Sequence, residues 1–412
     1  MTASGVARVA AGLVEDPLKV LVLHSELGVL RGGGENFTRN LFAAFAERGH
    51  EVTAAFVADR AMRYPVPIPA GIRPVPLPGR WNRTLGQALF SSVAAVLPSG
   101  RAVRRGWDRL REGMRWRAIR WHDLRFQRRV ERAFADRWHD FDAIYVHGNA
   151  RLASQVARHR RTVLRLPGPV GPELAPLLRD VHAVCANGDA LLRVRSFLHD
   201  DALELPAGVD QERFRPGRST VRQKLGWAAG DVVFGYVGRL THLKGIDLLA
   251  TAFHQMAGSA TSGKLLVIGT GEDEAEVRTQ LEAEIARGLV HLEASVDHDH
   301  LPDWYRAMDV FVMPSRYENF SNAILEATAC GVPFIASDVG GNQILGQTGA
   351  GWLFECGSAD ALEECMRNAV VNRAEVTTRA GIARCETRLQ STWAVAAERL
   401  ERIIRERRGE AS

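Results

Sequence analysis

Lysine is almost missing from this chain: of 53 basic residues only Lys19, Lys224, Lys244 and Lys264 are lysine, and the rest are arginine. A compact ammonium is a point charge, whereas a guanidinium is a wide planar fork, so a position that keeps lysine in such a background is one where the fork fits poorly. Cysteine is also sparse. Cys185, Cys330, Cys356, Cys365 and Cys385 are an odd number with no Cys-x-x-Cys pair, which argues against a disulfide framework and against a zinc knuckle; they read as small buried residues. No run of eighteen apolar residues occurs, so no membrane-spanning helix is expected. The stretch from Met1 to Asp16 makes a poor secretory signal, and a cytoplasmic protein is expected. No repeat of solenoid period appears.

What is present is an ordinary globular composition, 412 residues with 46% apolar, which exceeds one core and predicts two domains. The net charge of +5 is modest but uneven: between Arg80 and Asp140 lie fifteen arginines, six acidic residues and five of the nine tryptophans. That segment reads as a solvated helical face over core tryptophans, or as a contact for an anionic membrane surface at the inner face of the cell membrane. Nucleic acid is not expected as a partner, since no recognised nucleic-acid module accompanies the charge.

Strand and helix signals alternate along the chain. Lys19 to Leu23 is an apolar strand that runs into Gly32-Gly33-Gly34, and Phe37 to Arg48 has helical spacing closed by Gly49. Val52 to Val57 is the next strand, Tyr64 to Pro78 is a proline-rich extended loop, and Trp107 to Trp138 is one or two long basic helices. Strands follow at Asp142 to His147, Thr162 to Leu166, Ala183 to Ala186 and Ala202 to Leu205, and Phe214 to Arg218 reads as a linker. A second alternation runs from Asp231, with strands ending at Val237, Gly269, Glu293, Met313 and Ala336 and a helix over Glu274 to Ala286. The pattern predicts an α/β protein of two doubly wound parallel sheets, which bind ligands beyond the carboxyl ends of their strands.

Two stretches carry chemistry. The turn Tyr236-Val237-Gly238-Arg239-Leu240-Thr241-His242-Leu243-Lys244-Gly245 offers a guanidinium and an ammonium just after a buried strand. Glu318-Asn319-Phe320-Ser321-Asn322-Ala323-Ile324-Leu325-Glu326 places one carboxylate at the mouth of a helix and another two turns inside it. Two cations and a helix start, with its unpaired N–H groups and about half a positive charge, suit a diphosphate that gains charge as it leaves a sugar. Gly32, Gly33 and Gly34 read either as a tight turn or as a second helix start that can approach phosphates closely. If both glutamates were helical, eight residues would separate them by roughly 12 Å, beyond the roughly 5–9.5 Å of a glycosidase pair, so such a pair is not expected.

The stretch from about Val232 to Leu353 resembles the retaining family-four glycosyltransferases of the GT-B fold. The resemblance runs through Gly238-Arg239-Leu240, Lys244-Gly245, Val267-Ile268-Gly269-Thr270-Gly271, Met313-Pro314-Ser315, the paired glutamates, Glu326-Ala327-Thr328-Ala329-Cys330-Gly331-Val332-Pro333 and Gly340-Gly341-Asn342. The amino-terminal half matches more thinly, through Arg31 to Asn36, Arg48 to Val52 and Ala207 to Asp210. The resemblance implies two Rossmann-like domains facing a cleft, here 1–215 for the acceptor and 216–387 for the nucleotide-sugar, with a last helix from about 388 to 412 packing back on the first. It further implies Arg239 and Lys244 as the diphosphate clamp, Glu318 near the transferred sugar, Glu326 on the ribose, Val296 near the base, and Ser321, Asn322 and Ala323 as the helix start at the donor. The implied reaction moves a sugar from a UDP- or GDP-sugar to an acceptor hydroxyl with retention, in glycan, glycolipid or glycosylated-metabolite synthesis. No cofactor or metal is implied, and the acceptor, lipid-linked or soluble, is not identified.

Three departures bear on the sugars. Where relatives often place a histidine after the strand at Thr162 to Leu166, this chain has Pro167, leaving His147 and Arg165 as acceptor-side candidates; Ser321 stands for a commoner glycine; and the glutamate usual shortly after Gly340-Gly341 is missing. Asp297-His298-Asp299-His300 looks like a metal-binding Asp-x-Asp, but it directly precedes Leu301-Pro302, where Asp299 or His300 suits a helix start. Gly269-Thr270-Gly271 lacks the third glycine of a dinucleotide fingerprint, having Glu274 there. An epimerase or hydrolase on the same scaffold would need no acceptor. A non-catalytic membrane- or nucleic-acid-associated binding protein would have no reason to keep Arg239, Lys244 and Glu318.

Overall fold

The computed structural model describes residues 14, 16–30, 33–59, 63–79, 121–168, 170–198, 201–258, 263–390 and 392–406. The chain divides into two compact units, the first comprising 1–185, 197–203 and 397–412 and the second 186–196 and 204–396.

The first unit is built on a seven-stranded sheet in the order β3-β2-β1-β4-β5-β6-β7. The strands are β1 (Lys19–Leu23), β2 (Glu51–Ala58), β3 (Ile72–Pro78), β4 (Ala143–His147), β5 (Arg161–Arg165), β6 (Ala183–Ala186) and β7 (Ala202–Glu204). From β3 to β6 all pairs are parallel. Strands buried on both faces read as continuous apolar runs, which is why Val20 to Leu23 and Ala143 to Val146 sit at the centre. β3 corrects the expected loop: Pro74, Pro76 and Pro78 pair with Ala54, Phe56 and Ala58 of β2. Prolines at every second position leave their missing N–H groups on one side, and β3 is the edge strand, where that side needs no partner. Helix α1 (Gly33–Glu47) buries Phe37, Leu41, Phe42 and Phe45 against this sheet's strands.

Helix α2, residues 121–134, lies in the described part of the basic segment, residues 121–140. Trp138, just beyond it, is buried and stacks on His159 with ring centroids 5.1 Å apart, so it belongs to the core. Trp81, Trp107 and Trp116 lie outside the described residues.

The second unit has a six-stranded, all-parallel sheet in the order β10-β9-β8-β11-β12-β13. Its strands are β8 (Val233–Val237), β9 (Lys264–Ile268), β10 (Val290–Glu293), β11 (Val310–Met313), β12 (Phe334–Ser337) and β13 (Gly351–Phe354). The helices that matter for the site are α3 (Gly188–Leu198), α4 (Ile246–Ala257), α5 (Leu301–Tyr305), α6 (Asn322–Ala329) and α7 (Gly341–Gly346). The helix expected over 274–286 breaks at Leu281 into Glu274–Gln280 and Glu282–Ala286, with Leu281 fully buried in the core.

The expected linker is bound to this unit instead. Phe214 is buried against Tyr305 and His298, and the Arg215 carbonyl accepts from Arg306 Nε at 2.7 Å. The last helix, α8 (Trp393–Arg405), begins after a preceding helix that runs to Gln390. Within the first unit its Glu401 accepts from Arg48 at 2.8 Å. All five cysteines are free; Cys185 and Cys330 are buried as expected, but Cys356 and Cys385 are exposed. Among the described residues no helix is long and apolar enough to cross a membrane.

Candidate active site

Strand order reverses in each sheet at one place, between β1 and β4 in the first unit and between β8 and β11 in the second. The loops leaving the carboxyl ends of such strands diverge and open a crevice, the usual ligand position in a doubly wound sheet. The turn 238–245 leaves β8 and the loop 314–321 leaves β11. Both sequence signatures therefore meet at the switch point of the second sheet.

There Lys244 Nζ lies 2.6 Å from Glu318 Oε2, with both side chains largely buried. The approach is set by backbone. Gly245 has φ +67°, and a Cβ on it would come 1.9 Å from the Pro314 carbonyl oxygen, so only glycine lets the β8 turn lie this close to the β11 loop. Arg316 fastens the same two segments, with a bidentate pair to Asp247 at 2.7 and 2.7 Å and a hydrogen bond to the His242 carbonyl at 2.7 Å. Burial raises the Asp247 carboxyl, but the Arg316 fork outweighs it and holds the group below the usual carboxylate range. Arg239 is exposed, and its guanidinium makes no hydrogen bond or ion pair among the described residues. The Tyr236 hydroxyl donates to its carbonyl at 2.7 Å and shapes the turn. Gly269-Thr270-Gly271 supports that turn from beside it, with Leu240 N–H donating to the Thr270 carbonyl at 2.9 Å.

Glu318 precedes the helix that carries Glu326 and is not part of it. Helix α6 starts at Asn322 with Ser321 as its N-cap, the Ser321 hydroxyl accepting from Ile324 N–H at 3.2 Å, so Glu318 belongs to the loop before it. That loop is fixed from behind. The Gly341 N–H donates to the Glu318 carbonyl at 3.0 Å, and Gly340, at φ +46°, has no room for a Cβ, which would lie 2.1 Å from that oxygen. Asn319 caps helix α3, its carbonyl and Oδ1 accepting from Asp189 and Ala190 N–H at 3.1 and 2.8 Å. The Ser315 hydroxyl reaches Glu318 Oε2 at 3.4 Å; Ser337 Oγ donates to the Ser315 carbonyl, and Asn342 Nδ2 to the Ser337 carbonyl at 3.1 Å. Ser315, Ser337 and Asn342 are fully buried. Sequence reasoning missed these supports; the Pro-Ser and Gly-Gly motifs were visible, but their mutual contacts were not.

Glu326, on the second turn of α6, accepts from the Tyr305 hydroxyl at 2.8 Å. Burial pushes its carboxyl up to about 7, against the lowering by Tyr305 and Arg213. Ser321 spends its hydroxyl on the Ile324 N–H, and the N–H groups of Asn322 and Ala323 make no hydrogen bond among the described residues. Val296 lies half-buried in the loop after β10.

The four-residue Asp-His-Asp-His run is tied up in local contacts. His300 stands at the start of α5, as expected, at the N-cap position but without a side-chain bond to the helix, and Asp297 accepts from Asp299 N–H at 3.0 Å in the turn before it. Asp299 pairs with Arg213 at 2.9 Å and His298 rests on Phe214. Among the described residues no three His, Cys, Asp or Glu side chains converge as an ion-binding group.

At the switch point of the first sheet, His24 follows β1 and His147 ends β4, and their rings stack at 4.1 Å, 8° from parallel. Thr38 joins them. Its hydroxyl donates to the Gly34 carbonyl at 3.1 Å and lies 3.1 Å from Nδ1 of each histidine. The Thr38 hydroxyl thus bridges the two rings, and His24 Nε2 lies 3.8 Å from Glu35 Oε1. Burial, with Arg165 and Arg39 adding to it, lowers His24 to about 3; burial, His24 and Arg165 lower His147 well below the usual value. Both are neutral imidazoles at physiological pH. Gly33 and Gly34 open helix α1, and a Cβ on Gly34 would meet His147 Nε2 at 2.8 Å; Gly32 lies outside the described residues. Arg165 is buried, its guanidinium 3.6 Å over the Phe37 ring.

Comparison with known proteins bears on the family and the fold. The profile of the glycosyl transferases group 1 family matches residues 231–372. A D-inositol 3-phosphate glycosyltransferase of Catenulispora acidiphila is 31% identical over 280 residues, 59% of this chain and 67% of that protein. The lipopolysaccharide core biosynthesis mannosyltransferase LpsB of Rhizobium meliloti is 34% identical over 170 residues, 40% of this chain and 47% of its own length. Among solved structures, a sucrose-phosphate synthase from Thermosynechococcus elongatus superposes with a TM-score of 0.72 at 19% identity, over 94% of this chain and 98% of that one. HepE from Anabaena, solved with UDP and glucose, gives 0.67 at 19% identity over 93% and 98%. The fold is GT-B, with two Rossmann-like domains, and the chain belongs to the group 1 glycosyl transferases as a hexosyltransferase-type enzyme.

Proposed function

We propose that the second unit binds the nucleoside diphosphate of a UDP- or GDP-sugar and that the enzyme passes the sugar, with retention, to an acceptor hydroxyl. The observation that carries this reading is the pairing of Lys244 with Glu318 at 2.6 Å beside the exposed Arg239, at the switch point of a parallel sheet. An ammonium has three protons. Glu318 takes one and aims the group, and two remain for phosphate oxygens. Arg239 and the Asn322 and Ala323 N–H groups complete a cationic surface for the charge that grows as the anomeric carbon–oxygen bond breaks.

Glu326 accepts the ribose hydroxyls in this reading, Glu318 lies at the transferred sugar, and Val296 lines the base. Among the described residues none is an evident covalent nucleophile, so in this reading the acceptor attacks on the face that the diphosphate leaves, and the departing phosphate takes its proton. No metal is required, because fixed cations already meet the leaving charge. In the first unit, the Gly33-Gly34 helix start is assigned to an anionic group, and His147, whose Nδ1 lies 3.1 Å from the Thr38 hydroxyl, is the acceptor-side candidate. Arg165 is a support for that cluster, since it lies buried over Phe37.

The donor base is divided among relatives: one is titled GDP-mannose-dependent, and HepE was solved with UDP-glucose. A panel of UDP- and GDP-hexoses, followed by nucleotide release with D-inositol 3-phosphate, phosphatidylinositol and lipid-linked glycans as acceptors, tests the assignment. The anomeric configuration of the product, read by NMR, tests retention. Acceptor-dependent release with a retained anomeric centre is expected; release at the same rate without acceptor would mean a hydrolase, and an altered sugar without release an epimerase.

A further inference from the structure

Helix α2, residues 121–134, has two unlike faces. Phe126, Val130 and Phe134 are buried in the first unit, while Trp121, Leu124, Arg125, Arg128 and Arg132 are all exposed, Trp121 by 46% and Leu124 by 40%. Spacings of three and four residues place these five on one stripe. Its amino-terminal end is apolar and the two turns beyond it are cationic. The Arg125 guanidinium lies 4.1 Å over the Trp121 ring, which keeps charge and aromatic surface together. Of the carboxylates among the helix's described residues, Asp123 lies off the stripe and faces His122 at 3.9 Å, and Glu131, half-buried, borders the stripe three residues beyond Arg128.

We propose that this stripe docks the protein on an anionic phospholipid surface. The chemistry fits both layers of such a surface. Tryptophan and leucine enter the boundary between headgroups and acyl chains, while arginine stems lie along it and their heads reach the phosphates. A nucleic acid would use the arginines and leave Leu124 in water, so the lipid surface satisfies one more group. The docking stripe is independent of the diphosphate site and stands whichever sugar is transferred. Each arginine held near such a surface strengthens binding about fivefold, and the attraction weakens with salt.

The test is sedimentation of the full chain with vesicles of phosphatidylcholine alone and of equimolar phosphatidylglycerol and phosphatidylcholine, at low and high salt. Binding to the anionic vesicles at low salt is expected, with little to the neutral ones. Trp121→Ser/Leu124→Ser should weaken it about tenfold or more, and Arg125→Gln/Arg128→Gln/Arg132→Gln about 10²-fold. All five positions are exposed, and unchanged circular dichroism and thermal melting will show that the variants fold. Wild-type binding to neither vesicle, or variants that sediment like wild type, would overturn the proposal. So would binding of a single-stranded oligonucleotide that the arginine variant loses while its vesicle binding persists.

Discussion

Lys244 Nζ lies 2.6 Å from Oε2 of Glu318 and ties the turn after β8 to the loop after β11. One of the chain's four lysines thus sits where a compact ammonium meets this carboxylate and can turn its other two protons toward a ligand, whereas the protons of a guanidinium are fixed in one wide plane. Lys244→Ala is expected to slow transfer about 10²–10³-fold, the cost of one aimed stabiliser of developing charge. It should also cost about 1–3 kcal/mol of stability, because Glu318, only 8% exposed, loses its cation. Lys244→Arg should not restore the rate. Turnover within a factor of three of wild type would remove Lys244 from the chemistry.

The two glutamates should separate kinetically. Glu326→Gln is expected to raise the donor KM more than it lowers kcat, since ribose contacts change little on the way to the transition state, and Glu318→Gln to do the reverse. Equal effects on both constants for both variants contradict the assignment.

Glu326 also predicts a pH dependence. Its carboxyl is pushed up to about 7 by burial, so the protonated form predominates below that pH and can accept fewer ribose hydrogen bonds. Nucleotide affinity should therefore rise as pH passes upward through 7, and Glu326→Gln should flatten the profile. The folded protein holds this proton more tightly than the unfolded chain between its ordinary value of 4.5 and about 7, so the group's contribution to stability falls as pH rises across that window. Melting temperatures of wild type and Glu326→Gln from pH 4.5 to 7.5 will show the difference in slope; parallel curves would refute the shift.

Gly245→Ala should act through position alone. A Cβ at 1.9 Å from the Pro314 carbonyl, at φ +67°, forces the turn away from the β11 loop. Strain of about 1–3 kcal/mol and a loss of rate comparable to that of Lys244→Ala are expected. Full activity at unchanged stability would show that the close approach is not needed.

The buried relay behind Glu318 makes a quieter prediction. Ser337→Ala removes the donor to the Ser315 carbonyl and should lower kcat several-fold, on the order of one lost hydrogen bond, with the donor KM within twofold. Ser337→Thr, keeping the hydroxyl, should recover part of the loss. A change confined to stability would make the relay merely structural.

Much of this site was legible in the sequence, for identifiable reasons. Arg239 and Lys244 follow a strand too apolar to misread, and Asn322 to Glu326 begins a helix with a recognisable cap. The supports were not legible, since they join residues far apart in the chain: Gly340 beneath the Glu318 carbonyl, Asn319 at the start of α3, Ser337 behind Ser315. His24 and Thr38 escaped notice because neither stands in a motif; only the strand order places His24 beside His147. Proline misled the reading of β3, whose edge position is a property of the sheet and not of the strand.

Titration calorimetry with UDP, UMP, GDP and GMP, in buffer containing EDTA, bears on the donor site without any knowledge of the acceptor. The diphosphate of one base should bind about 10²-fold more tightly than its monophosphate, without a divalent ion, and Arg239→Ala should remove most of that difference. Equal binding of diphosphate and monophosphate, or a preference that appears only when a divalent ion is restored, would contradict the assignment of Arg239, Lys244 and the α6 start to the leaving phosphate.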